Sequence, residues 1–96
     1  YVTLKTGLGD FMLDVAYGHS DDGTNIGIYH GYSGEAQQFK LKLAYSDNVF
    51  YVLTRVSNDQ SALDDCENSK ADGANVIQWR YNGNSNQRFV FERIDG

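Results

Sequence analysis

Shifted by fifty residues and compared without a gap, the sequence overlies itself: Tyr1 pairs with Tyr51, Val2 with Val52, Leu13 with Leu63 and Asp14 with Asp64. Asp22, Gly23 and Asn25 likewise meet Asp72, Gly73 and Asn75, and Gln37 and Phe39 meet Gln87 and Phe89. The identities fall on turn residues and candidate core residues. A repeat of this length denotes a supersecondary unit that cannot bury its own apolar face and stacks on copies of itself. The chain therefore reads as one domain built from two units, residues 1–50 and 51–96.

Within each unit, short runs of aromatic and β-branched residues alternate with clusters of Gly, Asp, Asn and Ser, the pattern of strands and turns. Strands are expected over residues 1–5, 11–16, 25–30 and 37–44, and in the second unit over 51–56, 61–65, 75–81 and 87–94. In Phe39-Lys40-Leu41-Lys42-Leu43 the period of two puts one face in the core and the other in water. Ile26 and Ile28 are expected to point inward by the same rule, which turns Tyr29 outward. Asp21-Asp22-Gly23 and Ala71-Asp72-Gly73 mark reversals of the chain. No segment repeats at 3.6 residues, so no substantial helix is expected.

Charge narrows the partners. A formal net charge of -5 opposes binding to a phosphate backbone, so nucleic acid is not an expected partner. No apolar run is long enough to span a bilayer. The single cysteine, Cys66, has no intramolecular partner and is expected as a small buried side chain. No stretch reads as a signal peptide, although a mature chain would have lost one.

Leu63-Asp64, then 72–79 ending in Gln78-Trp79, then Asn82-Gly83 and Asn86-Gln87-Arg88-Phe89 together resemble one repeat of the ricin B-type lectins and family 13 carbohydrate-binding modules. Asp follows Leu, an aromatic stands fifteen residues later, and Asn-Gln lies two residues before a closing aromatic. The resemblance covers the whole chain. It implies an all-β, β-trefoil fold in which three four-stranded repeats surround a pseudo-threefold axis, each able to offer a shallow sugar site. Two repeats are present here. A fragment of a longer protein is the favoured explanation, because Tyr1 opens a unit directly and no initiating Met is present. Completion by strands of another chain, or a fold that differs from the family's, are the alternatives, and a missing third would leave apolar strand faces and edges open to self-association.

The resemblance also implies roles. Asp64 accepts from sugar hydroxyls, Trp79 stacks on the apolar ring face, Asn86 bonds a hydroxyl and Asn82 lies at the rim. These residue types suit a pyranose, which offers hydroxyls to carboxylate and amide groups and C–H bonds to an aromatic face. Gln87 divides between contacting sugar and bracing the turn. Asp14, Tyr29 and Gln37 occupy the matching positions of the first unit, where Ala36 replaces the Asn and Tyr32 stands where Asn82 does. The intact set predicts tighter binding at the second site. Structural rivals stand beside these roles: Trp79 as a core residue, and Asp14 and Asp64 as turn caps.

A glycosidase needs two carboxyls roughly 5 to 10 Å apart, whereas Asp14 and Asp64 belong to different repeats. His19 and His30 have no Ser or Cys partner at a motif spacing, and residues 20–25 lack the spaced carboxylates of a calcium loop. No cofactor and no metal are expected. A protein-binding trefoil, such as a protease inhibitor or signalling ligand, is the alternative function. The leading expectation is a non-catalytic, extracellular carbohydrate-binding domain. Galactose-containing glycans, xylan or arabinogalactan are its ligands, and it acts as an agglutinin or as the targeting module of a polysaccharide-degrading enzyme.

Overall fold

A computed structural model describes residues 1–7, 9–45, 48–66 and 75–91. Its strands are β1 (Phe11–Val15), β2 (Ile26–His30), β3 (Phe39–Leu43), β4 (Val49–Thr54), β5 (Ser61–Asp65), β6 (Val76–Arg80) and β7 (Phe89–Val90). β1 and β2 form one antiparallel hairpin, and β5 and β6 form its counterpart fifty residues on. β4, the opening strand of the second unit, pairs with β3, the closing strand of the first, and also with β5 and β7. One sheet therefore crosses the boundary between the repeats.

The opening segment of the first unit does not form the expected strand. Residues 1–5 make only the isolated bridges Val2 to Phe39 and Lys5 to Met12. The repeat itself shows what is lacking: β4 is held by β3, the closing strand of the unit before it, and among the described residues no such strand pairs with residues 1–5. The glutamines expected at the start of closing strands sit instead in single 3-10 turns, Glu35–Gln37 and Ser85–Gln87. Asp72 and its neighbours 71–74 lie outside the described residues, as do residues 92–94 of the expected last strand.

The core gathers residues from both units: Val15, Ile26, Ala36, Phe39, Val52 and Leu63. Phe39 and Val15 are fully buried, and burying such side chains contributes about 1.5–3 kcal/mol each. Tyr51, Leu53 and Ala62 form a second cluster, with Tyr81 packed against it. Cys66 is half-buried and unpaired. The alternation in β3 holds for Phe39 and fades towards Leu43, which is exposed.

Ile26 is buried as expected, but Ile28 is 48% exposed. Its counterpart Gln78 shows why. Gln78 is fully buried because the turn of the first unit closes over it. Its backbone N–H donates to the Thr24 carbonyl at 2.7 Å, and its carbonyl accepts from Gly23 N–H at 2.7 Å. Its side-chain amide donates to the His19 and Asp21 carbonyls, while the Thr54 hydroxyl donates to its Oε1. Asp22, expected as a turn residue, accepts the Arg80 N–H at 2.8 Å and adds to the same clasp. The first unit thus lays its turn over the second. No turn covers β2 in this way among the described residues, so Ile28 stays open.

Candidate functional site

Antiparallel register places the predicted site residues. In the first hairpin Asp14 stands opposite Gly27, and Met12 opposite Tyr29, so these four share one face. In the second, Asp64 faces Ile77, and Ala62 faces Trp79. Asp14 and Asp64 lie inside strands, which removes the turn-cap reading. Trp79 is 43% exposed and Tyr29 52%, so neither is a core residue.

Both aspartates are nearly buried and are held from beneath by the shared glutamines. Gln37 Nε2 donates to Asp14 Oδ2 at 2.9 Å and to the His30 carbonyl at 2.9 Å, while its Oε1 accepts the Tyr32 N–H at 3.2 Å. Gln87 repeats the arrangement with Asp64 Oδ2 at 2.9 Å, the Arg80 carbonyl at 3.0 Å and the Asn82 N–H at 2.9 Å. Gln37 and Gln87 are buried to within 1%. With their amides engaged inside the fold, they brace the carboxylates instead of reaching a ligand, which corrects their placement among the sugar-contacting residues. Each ties three parts of its unit together: a hairpin strand, the end of the next strand and the loop beyond.

The two sites differ above the brace. Asn86 Nδ2 donates to Asp64 Oδ1 at 2.7 Å, so both oxygens of Asp64 already accept a bond. Asn82 uses its Oδ1 to accept the Asn84 N–H, which makes it a turn-forming residue at the rim. In the first unit Ala36 is buried and offers no amide, and the Tyr32 phenol stands beside Asp14 as a hydrogen-bonding neighbour instead.

Beside Asp14 opens a recess of about 700 Å³, lined by Ala16, Tyr17, Gly27, Tyr29 and Tyr32 among others. Gly27 is one cause: the second unit sets the Ile77 side chain opposite its aspartate, and the first sets none. Gly34 is another. A Cβ there would lie 2.1 Å from the Tyr32 ring, so only glycine lets that ring occupy its place. Tyr29 and Tyr32 meet edge to face with centroids 6.1 Å apart, and the His30 ring lies 4.3 Å from that of Tyr29. Burial, and then the neighbouring Asp14 carboxylate, push the Tyr32 phenol above its ordinary pKa. The site offers a carboxylate acceptor, a phenol and an aromatic wall around an open volume. Among the described residues no three His, Cys, Asp or Glu side chains converge to hold a metal ion.

Gly27, Gly34 and Ala36 were visible in the sequence, but only as missing matches to the second unit. That they open the first site follows from the register and from the ring lying over residue 34.

The designed 3-fold symmetric protein ThreeFoil, known from a crystal structure, is similar to this chain, with 37% sequence identity and a TM-score of 0.74. The match covers 81% of this chain and 54% of ThreeFoil, so the chain spans about half the length of that protein. No curated protein gives a significant match. The family described as ricin-type beta-trefoil lectin domain-like matches twice, over residues 1–79 and 35–96. With two hairpins related by fifty residues, a sheet joining them and a trefoil relative, the chain belongs to the ricin-type β-trefoil lectin-like family and carries two of the fold's three repeats.

Proposed function

We propose that this domain binds carbohydrate without catalysis, in the manner of a family 13 carbohydrate-binding module, and that its principal site is the recess of the first unit. Asp14 accepts hydroxyl protons from the sugar, Tyr29 stacks on its C–H face, and the Tyr32 phenol bonds at the rim. Asp64, Trp79 and Asn86 form a second, shallower site with Asn82 at its edge. The observation that carries the reading is a carboxylate braced from beneath by Gln37, with the Tyr32 phenol beside it, facing a recess walled by tyrosines.

Residue types alone rank the second site higher, because Trp offers the larger face and Asn86 an extra amide. The geometry argues for the reverse order. Asn86 is spent on Asp64, and Ile77 fills the space that Gly27 leaves open.

Galactose-containing glycans, xylan and arabinogalactan are the proposed ligands, met outside the cell, where the domain retains an attached polysaccharide-degrading enzyme on its substrate or agglutinates. A shallow site of this kind binds a monosaccharide with Kd on the order of 1 mM, or about 4 kcal/mol. Retention on a polysaccharide then depends on two sites engaging together.

Titration with galactose, lactose, xylose and xylobiose tests the proposal. Binding should be weak, unchanged by a chelator, reduced by Gly27→Ile, which fills the first site, and not reduced by Ile77→Ala, which opens the second. Added bulk at Gly27 meets its nearest atom, Asn25 Nδ2, at an ordinary 3.6 Å, so the fold tolerates a side chain that fills the recess. Absence of binding across a glycan array sinks the proposal, and loss of binding on chelation points to a different recognition chemistry.

A further inference from the structure

Tyr17 is the most exposed large apolar residue described, at 94%, and it is held in a left-handed backbone conformation with φ 55° and ψ 13°. For a bulky residue that conformation is an outlier. It persists only where surrounding structure over-determines it, and such outliers cluster at binding sites. Here the turn is pinned on both sides. Ala16 N–H donates to the Asn25 carbonyl at 2.9 Å, His19 N–H donates to the Ala16 carbonyl at 3.2 Å, and the His19 carbonyl accepts the buried Gln78 amide of the other unit. Among the described residues the phenol hydroxyl makes no hydrogen bond and the ring pairs with no aromatic ring but that of His19, 6.0 Å away between centroids. At 94% exposure the ring adds little to the packing of the described residues.

Tyr17 nevertheless lines the same recess as Asp14, Tyr29 and Tyr32. The recess therefore has aromatic groups on both sides of the carboxylate, the Tyr29 and Tyr32 rings from β2 and the loop beyond it, and Tyr17 from the turn after β1. Its volume of about 700 Å³ falls within the range that holds drug-sized ligands, about 300–1,000 Å³, and exceeds what one monosaccharide fills.

We infer that Tyr17 is the platform of a second subsite, on which the sugar ring adjoining the one bound at Asp14 stacks. The ligand class is then a glycan chain of two or more residues in place of a lone terminal sugar. This rests on the carbohydrate-binding reading above.

The test compares galactose with lactose and xylose with xylobiose by calorimetric titration, on the unaltered chain and on Tyr17→Ala, Tyr17→Phe and Tyr17→Gly. For the sugar that binds, the disaccharide should bind about tenfold more tightly than its monosaccharide. Tyr17→Ala and Tyr17→Gly should bring that ratio close to one, and Tyr17→Phe should keep most of it. Tyr17→Gly should also raise the urea midpoint, because glycine adopts this backbone without penalty. A ratio near one in the unaltered chain overturns the second subsite, as does a ratio that Tyr17→Ala leaves intact. Equal weakening of both sugars by Tyr17→Ala assigns the ring to the first subsite and overturns the inference, while sugar binding itself stands. Failure of every sugar to bind overturns the carbohydrate reading and this inference with it.

Discussion

At the scale of single residues, a side chain that is missing does as much as one that is present. Gly34 gives up a Cβ so that the Tyr32 ring can lie beside Asp14. Gly34→Ala should push that half-exposed ring outward, lowering affinity at the first site severalfold while the thermal midpoint moves little, as paired titration and circular dichroism would register. Tyr32 makes a second prediction. Its phenol holds its proton more tightly in the folded chain, through burial and the Asp14 carboxylate. That contribution is present below the unfolded value of about 10 and is lost as pH rises through the higher folded value. Half exposure keeps it small. Urea titrations between pH 9 and 11.5 should show a shallower loss of stability in Tyr32→Phe than in the unaltered chain. Sequence alone identified the paired aspartates, aromatics and glutamines, since they recur at one spacing. It could not divide the glutamines from the contacting residues, because that depends on burial: Gln37 and Gln87 point under the sites, and only their amide partners reveal the bracing role.

At the scale of elements, the hairpins and turns were legible and the edges were not. Alternation located β1, β2, β5 and β6 to within a residue or so. It failed at residues 1–5 and at Ile28, and for one reason. A strand needs a neighbour and an inward face needs a cover, and in this architecture both come from the adjoining unit. Gln78 shows the covered state. Gln78→Leu would leave the His19 and Asp21 carbonyls and the Thr54 hydroxyl without that partner, at a cost of about 1–3 kcal/mol. The urea midpoint should fall accordingly, and an unchanged midpoint would mean that the backbone bonds at Gly23 and Thr24 hold the clasp alone.

At the scale of the whole molecule, two units leave one seam of the trefoil open. Val2, Phe11 and Ile28 are each more than 40% exposed, and among the described residues no turn lies against the outer edge of β2. A chain of these 96 residues should self-associate or bind a hydrophobic dye. The same chain extended by a third repeat of this pattern should be monomeric and more stable, because the added unit binds the folded state. Light scattering coupled to size exclusion distinguishes the two. A dye-silent, stable monomer of two units would show that the seam closes on itself.

The clasp of one unit's turn over the next unit's strand has a direction, and direction has a counting consequence. The first unit gives its turn to the second and, among the described residues, receives none, so a further unit of this pattern would join head to tail, a heterologous contact that yields closed rings or open filaments according to geometry. A trefoil closes after three units, and residues 1–96 hold two. Closed assemblies made only of residues 1–96 would therefore come in multiples of three copies, six units forming two rings, with one copy of each trio shared between the rings and tethering them as a pair.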